Sequence, residues 1–163
     1  MVVKHHSLKH YKDEHYKAIE DAKSFEELAA VAIDVLKSMP QPINHVCGPM
    51  STGGLDNIEK NSIVMENTMH KLSDQGKNIF NWVPFNEAIT RIRKQFSTHS
   101  EESNRQVVYK FYIHIFNSGL IKKLYFIHGW ESSQGAKWEH EQGIQLGLEI
   151  ENLPKDFLDD TSK

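Results

Sequence analysis

The chain has 163 residues, 39% hydrophobic and 25% charged, with 19 basic against 22 acidic side chains and a formal charge of −3. This balance suits a single globular unit with a sizeable core and excludes a disordered chain or a small disulfide scaffold. No basic run marks a nucleic-acid surface, no stretch of about 18 apolar residues marks a membrane span, and the polar N-terminus lacks a signal-peptide core, so a cytoplasmic protein is expected.

Residues 1–20 are rich in Lys, His and Tyr with weak periodicity, which predicts a solvated, partly frayed segment. His5, His6 and His10 lack companion ligands at metal-binding spacing. Ser24, followed three residues later by Glu27, is a capping-box signature. Phe25, Leu28, Ala29, Ala32, Val35 and Leu36 then trace one helical face, which Pro40 and Pro42 close. Residues 1–42 thus read as an N-terminal helical extension and 43–163 as the main α/β unit.

Beyond it the pattern alternates. "INHVCG" (43–48) is a short apolar strand, in which the single Cys47 reads as a small buried hydrophobe rather than a reactive thiol. A helix is predicted over about 55–73, with Ile58, Met65, Met69 and Leu72 on one face and Gly76 as its stop. "NIFNWVPF" (78–85) reads as a strand, 86–96 as a helix, 97–105 as a polar loop and 106–118 as a helix. "IKKLYFIH" (121–128) is a strand, "GWESSQGAKWEHEQG" (129–143) a turn and helix, and "LEIENL" (148–153) a last strand.

Strands alternating with helices predict a mostly parallel, doubly wound sheet, flavodoxin- or Rossmann-like, with about four or five strands and helices on both faces. Ligands of such sheets bind beyond the carboxyl ends of the strands. That rule selects three segments. "GPMSTGG" offers Gly48, Pro49, Met50 and Ser51 before a helix N-terminus, although an ordinary βα turn reads the same way. "NWVPF" offers Asn81 and Trp82, where aromatic residues are more commonly core. The third offers Gly129, Trp130, Ser132, Ser133 and Gly135, with Glu139 in the second helical turn. Spacing alone leaves Glu139 as either an exposed helical glutamate or a group within reach of a ligand.

"GPMSTGG" after the first strand, with "GWESSQGAKWE" after a later one, resembles the nucleoside 2-deoxyribosyltransferase-like superfamily over roughly residues 43–153. The matched positions are Gly48 and Pro49 in the first loop, then Ser133, Gly135 and Glu139 in the late turn and helix; the form is also similar to the 2'-deoxynucleoside 5'-phosphate N-hydrolases. The resemblance implies that Glu139 is a carboxylate nucleophile attacking the anomeric carbon of a 2-deoxyribosyl group. It further implies that Ser51, Ser132 or Ser133 holds a 5'-phosphate, and that small members assemble into homo-oligomers. Members often carry an acid where His114 stands and another near Ile121, so His114, or His128, is the candidate proton donor.

The expected activity is cleavage or transfer at the N-glycosidic bond of a 2'-deoxynucleoside or its 5'-monophosphate. The alternatives are a catalytically silent nucleotide-binding relative and an oligomeric interaction protein. The partner expected is a small nucleoside or nucleotide, with no nucleic-acid polymer, no membrane, no cofactor and no metal. Ten histidines include no His-Glu-x-x-His, and no Gly-x-Ser-x-Gly elbow is present.

Overall fold

A computed structural model describes residues 8–50, 54–55, 57–95 and 106–159 of the chain. At its centre β1 (Ile43–Cys47), β2 (Ile121–Phe126) and β3 (Glu149–Asn152) form a parallel sheet in the order β1–β2–β3. Every residue of β1 is buried, as expected of a strand covered on both faces. At the edge, Glu149 and Glu151 of β3 both reach Lys123 of β2, at 2.9 and 2.8 Å.

The expected four or five strands give way to three among the described residues. Residues 78–85 contribute only an isolated parallel bridge between Asn44 and Ile79 before the chain leaves the ladder. The cause is local. Asn81 Oδ1 accepts from the Val83 N–H at 2.9 Å, and Pro84, which has no N–H to donate, sits in the short 3-10 turn Val83–Phe85.

Among the described residues six α-helices surround the sheet: α1 (Asp13–Asp21), α2 (Phe25–Lys37), α3 (Ile58–Asp74), α4 (Asn86–Arg93), α5 (Ile113–Asn117) and α6 (Gln134–Gln145). A π-helical turn, Val108–Tyr112, leads into α5. Helix α1 departs from the expected frayed segment because His15 occupies a core position between Tyr11 and Ile19. A buried histidine interrupts the apolar pattern that would otherwise have announced the helix. Helix α2 starts as predicted, with Ser24 Oγ accepting from the Glu27 N–H at 3.1 Å. The buried apolar residues of α1 and α2 belong to the same hydrophobic cluster as those of β1 and β2. On α3, Met65, Met69 and Leu72 are buried as expected, whereas Ile58 is 56% exposed. Among the described residues, no helix is long and apolar enough to cross a membrane.

The seating of α6 positions the site. Register aligns His45, Leu124 and Ile150 across the sheet, and Cys47, Phe126 and Asn152 form the row two residues further along. Alternation places both rows on one face. Helix α6 lies on that face at Gly143, where an added Cβ would come within 2.7 Å of Leu124 Cδ1 and 3.3 Å of Ile150 Cδ1. The missing side chain at Gly143 lets the helix press against the sheet. Glu139, four residues earlier and so on the same side of α6, is carried over β1.

Candidate functional site

The loops after β1 and β2 are tied together at their base. Ser132 Oγ accepts from the Gly54 N–H at 2.7 Å and donates to the Gly129 carbonyl at 2.8 Å. Asn61, buried on α3, accepts from the Leu55 N–H at 3.0 Å and donates to the Met50 carbonyl at 2.9 Å. Ser133 caps α6 by accepting from the Ala136 N–H at 3.2 Å. The Gln134 and Gly135 backbones follow at the helix N-terminus, where amides lack intrahelical partners.

These loops frame a cavity of about 800 Å³ at the carboxyl end of β1. His45 and Glu139 meet at its lining, and Trp82, Tyr109, Tyr112 and Trp138 supply aromatic surface. Helix α4 contributes Asn86, Thr90 and Arg93, and the first turns of α3 contribute Glu59 and Ser62. Gly135 also lines the cavity, and a Cβ there would meet nothing nearer than Ser133 Oγ at 3.9 Å. Its missing side chain therefore leaves space toward the cavity and relieves no crowding within the protein.

Glu139 Oε2 lies 3.0 Å from His45 Nε2, with the imidazole side chain 1% exposed and the carboxylate side chain 13% exposed. Among the described residues His45 Nδ1 has no hydrogen-bond partner, so the network places the ring proton on Nε2, donating to Glu139. Phe80, Phe116 and Tyr112 pack around the ring, the Phe116 centroid 5.5 Å away and edge-on. Cys47 lies beside the same carboxylate, its Sγ within 4.8 Å of a Glu139 oxygen. Burial, then the neighbouring Glu139 carboxylate, hold the thiol well above its ordinary range. That shift opposes thiolate formation at Cys47. Burial, then Glu139 and Cys47, likewise raise the Tyr112 phenol. One donor atom each from His45, Cys47 and Glu139 lies within 4.8 Å of the others, a set able to hold a metal ion.

Of the residues expected from the sequence, Gly48, Met50, Trp82, Ser133, Gly135 and Glu139 line the cavity. Pro49 is buried outside the lining. Asn81 is engaged in its local turn, and its carbonyl accepts from the Tyr11 hydroxyl. Gly129 turns in the left-handed region at φ 85°, and Trp130 stacks on His140 with centroids 4.4 Å apart while donating to Asn152 Oδ1 at 3.2 Å; neither belongs to the lining. His114 is exposed on α5 and also outside the lining, and His128 is exposed beyond β2. Ser51 lies outside the described residues.

His45, Tyr112, Arg93 and Glu59 were not anticipated. For His45 a signal existed: a polar residue within an otherwise apolar strand, two positions before Cys47 and near the strand's carboxyl end. No protein family, curated protein or solved structure matches the chain.

Proposed function

We propose that the chain cleaves or transfers at the N-glycosidic bond of a 2'-deoxynucleoside or its 5'-monophosphate, with Glu139 as nucleophile. The observation carrying this reading is a largely buried carboxylate, oriented by a buried histidine, in a cavity with aromatic walls and a helix N-terminus. Its likeness in "GPMSTGG" and "GWESSQGAKWE" to the nucleoside 2-deoxyribosyltransferase-like superfamily supports the same chemistry.

In this reaction a Glu139 oxygen attacks C1' of the sugar, and the C1'–N bond breaks with its electron pair leaving on the base. The base takes up a proton, and a deoxyribosyl ester remains on Glu139. Water or a second base then attacks C1' and releases the carboxylate. His45 Nε2–H fixes the attacking group, and the planar base stacks against tryptophan or tyrosine in the walls. Amides at the start of α6 and the Arg93 guanidinium suit a 5'-phosphate. Glu59, the second carboxyl group of the lining, takes the place of His114 as candidate proton donor to the leaving base.

The test is release of free base, followed by chromatography, from a panel of deoxynucleosides and their 5'-monophosphates. Turnover that disappears in Glu139→Gln supports the reading, and no release from any member of the panel removes it. A second reading, nucleotide binding without turnover, is favoured by the position of His114 outside the cavity. Thermal stabilisation by a nucleotide without base release would select it. The homo-oligomer belongs to this proposal as well: Leu55, Ile58 and Ile63 are 58%, 56% and 59% exposed and form an apolar surface beside the cavity. A strictly monomeric species in light scattering at micromolar concentration would remove it.

A further inference from the structure

We propose that His45, Cys47 and Glu139 form a site for one thiophilic divalent cation of the zinc type, with a further coordination position open to the cavity. His45 and Cys47 stand two residues apart on β1 and therefore on one face, and α6 brings Glu139 over them. Their donor atoms lie within 4.8 Å of one another. Imidazole nitrogen, thiolate sulfur and carboxylate oxygen are all zinc donors, and three protein ligands with an open position make a reactive rather than a sealed site. Tetrahedral zinc bonds place neighbouring donors about 3.3–3.8 Å apart, so the His45–Glu139 pair, at 3.0 Å, opens slightly and any separation near the 4.8 Å limit shortens by about 1 Å.

Charge favours the same occupant. Among the described residues no lysine or arginine pairs with Glu139, whose neighbours are an imidazole, a thiol and a phenol. On loading, the cation displaces the proton from Cys47 Sγ to solvent. It takes the Nε2 lone pair of His45 as the ring proton moves to Nδ1, and it takes one oxygen of Glu139. One proton leaves per ion, and the double positive charge meets one thiolate and one carboxylate, giving a neutral cluster. Nδ1 is without a partner in the present network, so the tautomer change breaks no hydrogen bond there. An outer partner on the ligating histidine is worth about 10–100-fold in affinity, and without one this site binds its ion reversibly. An ion held by the Glu139 oxygen also blocks attack by that oxygen, so occupancy inhibits the glycosidic chemistry. Binding stands apart from the proposed activity, whereas inhibition rests on it.

The test titrates cobalt(II), then zinc(II), into the full chain after chelator treatment. Cys47 is the only cysteine, so a near-ultraviolet sulfur-to-cobalt charge-transfer band can arise from no other residue. The expected result is one cobalt per chain with that band, displaced by zinc. Cys47→Ser should lose the band, and Glu139→Gln should weaken cobalt binding by more than about tenfold. No band at saturating cobalt overturns the site, including the case in which His5, His6 and His10 bind the ion without sulfur. Zinc should also stop base release, with recovery on adding chelator. A metal-free protein that releases no base defeats the glycosidic reading and leaves the cobalt band standing; turnover without the band does the reverse.

Discussion

Among the described residues two buried histidines each face a carboxylate, and one of the two pairs, His45 with Glu139, lines the cavity. His15 on α1 meets Asp34 on α2 at 2.8 Å, the histidine side chain 4% exposed and the aspartate 66%. Its other nitrogen is also engaged, Nδ1 accepting from the Lys12 N–H at 2.9 Å. Every polar atom of that ring is satisfied, and the carboxylate stays in water, where an ion pair contributes little and desolvation costs little. His45 inverts this arrangement: Nδ1 is orphaned, and the carboxylate it holds is 13% exposed. Withdrawing a carboxylate from water beside an incompletely satisfied ring costs stability. The first pair is explained by joining two helices; the second stands at the cavity, where the proposed ligand or ion would meet it.

Exchanging the carboxylates gives the largest separation. Glu139→Gln should lower base release by about 10³-fold or more, since a carboxamide cannot form the sugar ester. Asp34→Asn should leave turnover unchanged and alter stability by less than about 1 kcal/mol. Equal losses of turnover in the two variants would erase the distinction. The histidines come next. His45→Ala removes a core ring and leaves a buried carboxylate without its donor, a loss of about 2–4 kcal/mol in urea unfolding. Turnover of the folded fraction should fall about 10–100-fold through kcat, the cost of a misplaced reacting group. His15→Ala should cost about 1–3 kcal/mol and leave kcat intact. A change in kcat on removing His15 would show that the α1–α2 contact also supports the cavity.

The two pairs also mark what was legible in the sequence. Helix α2, β1, β2, β3 and the start of α6 follow from capping, apolar period and turn residues, because those signals act between near neighbours. Spacing placed Glu139 in the second turn of α6 but left open whether it was exposed or within reach of a ligand. Neither histidine's partner was legible, because each contact joins two elements: α1 with α2, and β1 with α6. Residues 78–85 read as a strand from their apolar content, but the Asn81 turn and Pro84 allowed only one bridge. Gly143 was legible as a small residue, but its purpose was not, since only the seated helix reveals Leu124 and Ile150 beneath it. The His45–Cys47–Glu139 set escaped motif rules for a related reason. Its first two members have strand spacing and its third comes from a distant helix.

The smallest predicted effect lies in alkaline solution, where each histidine has a tyrosine against it. Tyr11 packs on His15 with ring centroids 6.2 Å apart, and Tyr112 on His45 at 5.9 Å. Both phenols are raised above the ordinary value of 10.0, Tyr11 by burial and then by Tyr16 and Tyr112, and Tyr112 by burial and then by Glu139 and Cys47. Above pH 10 the unfolded chain loses these protons while the folded chain keeps them. The unfolded state then binds fewer protons, and stability falls as pH rises, by up to about 1.4 kcal/mol per unit for each phenol. Urea unfolding between about pH 9 and pH 11 should show this slope, flattened in Tyr11→Phe and in Tyr112→Phe by one phenol's share. The carboxylate variants then test the cause of the shifts. Glu139→Gln removes only the second cause of the Tyr112 and Cys47 shifts, burial being the first, so both groups stay protonated in the folded chain and the slope over this range should persist. Asp34 is not among the groups that raise Tyr11, so Asp34→Asn should follow the parent protein. Parallel slopes for the two carboxylate variants would mean that burial alone keeps these protons on the folded chain, and a flatter slope in Glu139→Gln would show that the carboxylate is needed to hold them.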